Sequence, residues 1–261
     1  QDNIKRLPGY GWTVITPDSG RLACGDTGKG KLPSPEVLLE SVISAVTPKD
    51  MRGSRVLVTA GATKEAIDPV RYITNHSTGK MVDELAKAAA RRGARVTLIS
   101  GSDILPDPPF INTVHVMSAE DMLEKVKEYG DADIIIKAAA VADYRPESVS
   151  DEKIKKSDDD ACICLTRTTD ILKYLGDNKK DGQLLCGFSM ETSDLIENSK
   201  KKLTKKNLDM ICANNLKVEG AGFKGDTNVI TLITESSVTE LPLMSKAEAA
   251  DIILTHLLQL K

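Results

Sequence analysis

The sequence predicts an α/β fold, a mostly parallel sheet with helices on both faces. Two observations carry this expectation. Apolar runs that are nearly continuous recur along the chain: RVLVTAG, ARVTLISG, TVHVM, ADIIIKAAA, CICLTR, LLCGFSM, LDMICAN and NVITLIT. Strands buried on both faces read this way, whereas half-exposed strands alternate. Helical patterns separate many of these runs, among them DELAKAAARRG, SAEDMLEKVKEYG, TDILKYLGDN and TSDLIENSKKKLTKKN. Strand–helix alternation of this kind builds a Rossmann-like parallel sheet. At 261 residues the chain suits one large domain with or without an appendage.

The elements follow in order. GYGWTVI is a short strand-like run, and a glycine-rich loop comes after it. A helix starts near Pro35, N-capped by Ser34 with Pro35 at its first position. TPKDMRG reads as a linker. This opening segment holds too little apolar material to fold alone, so residues 1–48 are expected to be the end of another domain plus a linker. Residues 49–261 form the main domain. There RVLVTAG is a buried strand, residues 62 to 80 a long polar loop, DELAKAAARRG a helix ended by Gly93, and ARVTLISG the next strand. Long loops inside compact domains are usually functional. Near the end, NVITLITESSVTELPL reads as a hairpin around Glu235-Ser236-Ser237, and SKAEAADIILTHLLQLK as an amphipathic helix.

Composition excludes several classes. A net charge of −3 with 3% aromatic residues lacks both the basic footprint and the stacking platforms of a nucleic-acid binder. No run of eighteen apolar residues offers a membrane span, and the first residues do not resemble a signal peptide. Five cysteines without a C-x-x-C pair read as reduced thiols of a cytoplasmic protein, with Cys162 and Cys164 on one face of a strand. His76, His115 and His256 are too scattered for a zinc site, and no metal held by protein side chains is expected.

In open α/β sheets ligands bind beyond the carboxyl ends of the strands. That rule selects Gly61 and the loop after it, Asp143, Phe188 to Glu191, and Asn214. The loop contains DPVRYITNHSTGKM, dense in anion-binding and amide groups: Arg71, Asn75, Ser77, Thr78 and Lys80. It is not a Walker A loop, since Thr74 stands where its first glycine is needed and Met81 follows Lys80. Nor does it read G-x-G-x-x-G. Ser77, Thr78 and Gly79 nonetheless precede a helix, where free amides and the helix dipole favour an anion; the hydroxyls could equally serve as plain caps. Asp143, in AAAVADYRP, can accept hydrogen bonds from sugar hydroxyls or an exocyclic amine, or can simply open a turn. Lys202 and Lys206 share one helical face at i and i+4; with Lys153 from a separate loop they could grip a polyphosphate.

Four blocks together, VLVTAGATKEAIDPVRYITNHSTGKM, AAAVADYRPESVSDEKIKK, GFSMET and KKLTKKNLDMICAN, resemble the phosphopantothenate–cysteine ligase family of coenzyme A biosynthesis. The likeness runs from about Arg55 to the C-terminus. The first forty-odd residues instead resemble the C-terminal tail of a flavin-dependent phosphopantothenoylcysteine decarboxylase, and Cys24 in LACGDTGKGKL matches that family's proton-donating cysteine. The flavin-binding body of such a domain is absent, so FMN is not expected, and a start at Gln1 fits a fragment of a longer bifunctional protein.

The resemblance implies a reaction. A nucleoside triphosphate, accompanied by Mg²⁺, activates 4′-phosphopantothenate as an acyl-nucleotide, and the amine of L-cysteine then displaces the nucleotide. It implies that Asn75 handles the acyl-nucleotide, that Ala139, Ala140 and Asp143 form the nucleotide-contacting turn, and that Lys153 belongs to a mobile K-x-K-K loop. Phe188, Lys202 and Lys206 match further nucleotide contacts, and Asp170 in RTTDIL sits where the family often has N-P-D. Gly61, Arg71, Asn75, Ser77, Thr78, Gly79 and Lys80 are the expected substrate-binding positions. Val82-Asp83 stands where the family usually has glycine and an aromatic, GFSMET replaces GFAAET, and RTTDIL lacks the proline. These departures surround the nucleotide pocket; CTP is the expected nucleotide and ATP the alternative. A homodimer is also implied, with the C-terminal hairpin as a candidate contact.

The main rival is an NAD(P) oxidoreductase on the same fold. It would want G-x-G-x-x-G or Tyr-x-x-x-Lys, and the residues four after Tyr10, Tyr72, Tyr129, Tyr144 and Tyr174 are Val, His, Asp, Ser and Asn. A non-catalytic subunit is the second rival, and the retained Asn75, Lys153, Lys202 and Lys206 speak against it.

Overall fold

The computed structural model describes residues 2–156, 160–191, 194–215 and 225–261. Its centre is an eight-stranded sheet. In chain order the strands are β1 (Arg55–Ala60), β2 (Arg95–Ser100), β3 (Asn112–His115), β4 (Ile134–Lys137), β5 (Leu184–Glu191), β6 (Met210–Asn215), β7 (Ile230–Ile233) and β8 (Val238–Glu240). Six run parallel in the spatial order β3-β2-β1-β4-β5-β6; antiparallel β7 and β8 extend the sheet beyond β6. This is the doubly wound Rossmann-like order, with the topological switch between β1 and β4. The expected hairpin is present as β7–β8.

The helices of seven residues or more are α1 (Pro35–Val46), α2 (Lys80–Arg91), α3 (Ala119–Tyr129), α4 (Ile171–Asp177), α5 (Leu195–Lys205) and α6 (Lys246–Leu258). Strand alternation sends Val56, Val58, Ile134 and Ile136 to one face, where α2 supplies Leu85, Ala86 and Ala89 and α6 supplies Ile253, Leu254 and Leu257. Leu57, Ile135, Leu185 and Ile211 point to the other face and meet Met122 and Val126 of α3, Ile171 and Leu172 of α4, and Leu203 of α5. Each fully buried aliphatic side chain of this kind contributes about 1.5–3 kcal/mol, so covering both faces is what holds the sheet.

Local chemistry sets the helix ends. Ser118 accepts from the Asp121 amide and Asp121 accepts from the Ser118 amide, a capping box that starts α3; Ser245 and Glu248 do the same for α6. Buried Glu65 accepts from the Ala119 amide at 2.9 Å, fastening α3 to the loop after β1. Arg92, also buried, ties α2 to α6 through the Thr255 hydroxyl and the Asp251 carbonyl while pairing with Asp50.

Three expectations change. CICLTR is not a strand of the main sheet: only Leu165–Arg167 is extended, and it pairs with Tyr144–Pro146 in a separate ribbon. Cys162 and Cys164 therefore precede the strand and are exposed, as are all three residues of Leu165–Arg167. The loop at 62 to 80 is partly regular, since Lys64–Ala66 and Tyr72–Thr74 form an antiparallel ribbon. In the opening segment the strand pair is Asp18–Arg21 with Thr27–Lys31, turned at Gly25 (φ 92°), rather than GYGWTVI. From residue 2 to 46 only Pro33 and Ser41 are buried, and Ser34 caps α1 as expected, accepting from the Val37 amide.

Candidate active site

The crevice at the β1–β4 switch point is built by close backbone contact. A Cβ on Gly61 would lie 2.4 Å from the Ala140 nitrogen and 2.8 Å from its oxygen, so only glycine admits this approach. Threonines lock the two strand ends together. Thr63 donates from its amide to the Ala140 carbonyl at 3.3 Å, and its hydroxyl accepts from the Ala142 amide at 3.1 Å. The Thr59 hydroxyl accepts from the Ala139 amide at 3.4 Å. Ala139, Ala140 and Gly61 thus form one rigid floor.

On the β1–β2 side, the turn before α2 lines a small recess with Thr78, Gly79 and Asp83, facing Ser100, Ser102 and Pro106. Gly79 takes a left-handed conformation (φ 76°), and its carbonyl accepts from the Val82 and Asp83 amides. Asp83 pairs with Lys87 at 2.6 Å, and Lys80 with Asp226 at 2.7 Å. Asn75 is exposed on the approach to this turn, and Ser77 is half-buried.

Arg71 braces the loop. The buried Asp68 carboxylate accepts from the Arg71 Nε at 2.9 Å and from the amides of Val70 and Arg71, both at 2.8 Å. It also accepts from the Ile154 amide at 3.1 Å, while Arg71 Nη2 donates to the Ile154 carbonyl at 2.7 Å. The Arg71 guanidinium, helped by those amides, holds the Asp68 carboxyl well below the usual carboxylate range. Lys153, exposed beside Ile154, is carried on this anchor.

On the β4–β5 side the structure joins Asp143, Asp170, Lys206 and one residue that sequence reasoning missed, Lys137. Gly176 permits the junction: a Cβ there would sit 1.8 Å from the Lys206 carbonyl oxygen, so α4 docks directly on the end of α5. Asp170 caps α4, accepting from the Lys173 amide, and pairs with Lys206 at 2.8 Å. Burial opposes ionisation of Asp170, but the Lys206 ammonium and the Lys173 amide outweigh it and its pKa is lowered. Thr168 fastens this segment to the turn, its amide donating to the Asp143 carbonyl and its hydroxyl to the Ala142 carbonyl. Lys202 lies one turn before Lys206, half-buried. Phe188 is not part of this cluster; it packs on the α2–α6 side. Glu191 and Thr192 of GFSMET lie outside the described side chains.

The missed residues carried signals. Lys137 is a charge closing three isoleucines at the end of a central strand, and D-P-V-R is an Asx-turn pattern with proline at its second position. Cys24 is exposed, its thiol 3.8 Å from Asp26. Among the described residues no group of three or more His, Cys, Asp or Glu side chains is placed to hold a metal ion, and no helix is long and apolar enough to cross a membrane.

A family described as the DNA/pantothenate metabolism flavoprotein C-terminal domain matches residues 51–260. The chain belongs to that family. The coenzyme A biosynthesis bifunctional protein CoaBC of Bacillus subtilis is 48% identical over 98% of this chain and 64% of its own length. The chain accordingly spans less than two thirds of that relative. A protein of an unidentified prokaryote named cysteine/cysteine sulfinic acid decarboxylase is 47% identical over 97% of this chain and 73% of its own length. Among solved structures, the C-terminal domain of a CoaBC protein superposes with a TM-score of 0.68 at 44% identity, over 80% of this chain and 95% of that one.

Proposed function

We propose that this domain joins 4′-phosphopantothenate to L-cysteine at the expense of CTP, through an acyl-cytidylate. The observation that carries the reading is the two-sided crevice within a pantothenate-family domain. An amide-rich helix entry stands on one side and the Lys206–Asp170–Asp143 cluster on the other, joined by the Gly61–Ala140 floor. A carboxylate is a poor electrophile, and the substrate carboxylate attacks the α-phosphorus with pyrophosphate leaving. The amine nitrogen then attacks the acyl carbon, the carbon–oxygen bond to the nucleotide breaks, and the amine proton is lost. Lys206, Lys202 and Lys153 provide positive charge for the phosphates, Mg²⁺ arriving with the nucleotide. In this reading Asp143 accepts from the nucleoside. The Asn75 amide donates to the carbonyl oxygen as charge develops during amine attack.

In this reading residues 1–48 are the tail of a decarboxylase half, the protein is cytoplasmic, and the β7–β8 edge contributes to contact between two copies. The identity to CoaBC proteins supports the reaction class. Pyrophosphate release with CTP or ATP, with and without cysteine, is the test. Release with CTP that needs 4′-phosphopantothenate but not cysteine is expected, cysteine then yielding the amide product. Carbon dioxide evolved from cysteine with no nucleotide consumed would instead favour the activity in the decarboxylase relative's name.

A further inference from the structure

Lys137 ends the central strand β4 after three fully buried isoleucines. Alternation puts it on the face of Ile135, the face that carries α4 and α5. Its neighbours in register are Thr59 of β1 and Gly187 of β5. Gly187 has no side chain to cover it, and a Cβ there would already lie 2.9 Å from Leu172 and Leu208. Lys137 is therefore paired in register with a residue that has no side chain, at a point where Leu172 and Leu208 already close on the sheet. Its ammonium stays largely buried and donates to the Ala139 carbonyl, two residues further along the chain, at 2.9 Å.

That acceptor is neutral, yet the surroundings are charged. Lys206 faces Lys137 from the end of α5, Asp170 from the start of α4, and Asp143 from the loop after β4. Burial and then repulsion from Lys206 push the Lys137 pKa down to about 8, against the pull of Asp170 and Asp143. Lys206 is already paired with Asp170. Two ammonium groups thus repel one another across the site, Lys206 paired with Asp170 and Lys137 on a carbonyl oxygen. A phosphate oxygen offers a stronger, charged acceptor and removes their mutual repulsion.

We infer that Lys137 is a further cation of the nucleotide subsite, binding the anionic phosphates together with Lys206. The inference rests on the nucleotide-dependent reading above and adds a residue to it. The sign of the pH dependence follows from the free site. Binding requires the ammonium, so affinity is full below about pH 8 and falls as pH rises beyond it.

Calorimetric titration of the whole chain with CTP, ATP, pyrophosphate and uncharged cytidine, from pH 7 to 9.5, tests this. Wild type is compared with Lys137→Gln and Lys137→Arg, their thermal midpoints being recorded to verify folding. Lys137→Gln is expected to weaken triphosphate and pyrophosphate binding roughly tenfold or more, the size of one lost charge-assisted hydrogen bond, and to leave cytidine unchanged. Wild-type affinity for the triphosphate should fall above pH 8, while Lys137→Arg stays flat. Equal losses for cytidine and CTP, or no loss in either, overturn the inference, as does a flat wild-type profile, which needs no variant at all. If wild type binds neither triphosphate nor pyrophosphate, the nucleotide reading itself fails.

Discussion

Asp68 and Ile154, 86 residues apart in sequence, are joined by a 3.1 Å hydrogen bond from the Ile154 amide to the Asp68 carboxylate. The bond fixes the lysine-bearing loop to the loop after β1, and the Ser150 amide adds a second tie to the Ile67 carbonyl. Asp68→Asn should therefore loosen residues 149–156 more than the sheet. Amide exchange there should quicken while β1 and β4 stay protected. Unchanged exchange in that loop would show that Asp68 does not anchor it.

The same carboxylate sets a pH dependence. Its folded pKa is depressed by Arg71 first and then by backbone amides. A depressed carboxylate stabilises the folded form above its unfolded pKa, near 3.9, and loses that contribution as pH falls toward the folded value. Loop protection should therefore be constant from about pH 8 to 5 and decline below about pH 4. In Asp68→Asn this acid limb should disappear from residues 149–156.

Gly61→Ala should damage the floor of the crevice directly. The added carbon would meet backbone atoms of Ala140 rather than the end of a flexible side chain. Overpacking of this kind costs about 1–3 kcal/mol, and the displaced turn is the one that carries Ala139 and Ala140. Thermal unfolding should show the loss, and pyrophosphate release should fall further than stability alone explains.

The sheet was legible because continuous apolar runs such as IIIK and RVLVTA allow few alternatives, and the hairpin because Glu235-Ser236-Ser237 interrupts two β-branched runs. Its strand order was not, since periodicity does not say which strands are neighbours. CICLTR shows the limit: its apolar pattern is that of a buried strand, yet its strand lies exposed on a separate two-stranded ribbon. In the site, sequence located the strand ends and the polar loop. It could not foresee that Arg71 would be engaged by Asp68, because that pairing depends on a three-dimensional turn. Nor could spacing bring Lys137 beside Lys206, since α4 must first dock on α5 through Gly176.

Lys206→Gln should raise the nucleotide KM roughly tenfold, as expected for loss of one charged hydrogen bond to phosphate. It also leaves Asp170 without its ion-pair partner. That carboxyl is half-exposed, so its residual cost in stability is small. Steady-state kinetics with CTP and a thermal melt separate the two effects. A melt shifted strongly with unchanged KM would make Lys206 a structural residue.

Asn75 is exposed at the lip of the helix entry, where folding makes little demand on it. Asn75→Asp should accordingly melt like wild type. In the proposed mechanism it removes a donor that acts only during amine attack and puts a negative charge near the developing oxyanion. Losing one such donor costs ~3 kcal/mol of barrier, roughly a hundredfold in rate. Activation does not use that donor, so pyrophosphate should still appear in the first turnover while amide product lags and acyl-cytidylate accumulates. Quenched single-turnover reactions with labelled CTP would display this directly. Product formed at the wild-type rate, with no intermediate, would remove Asn75 from the chemistry and leave it a surface residue of the loop.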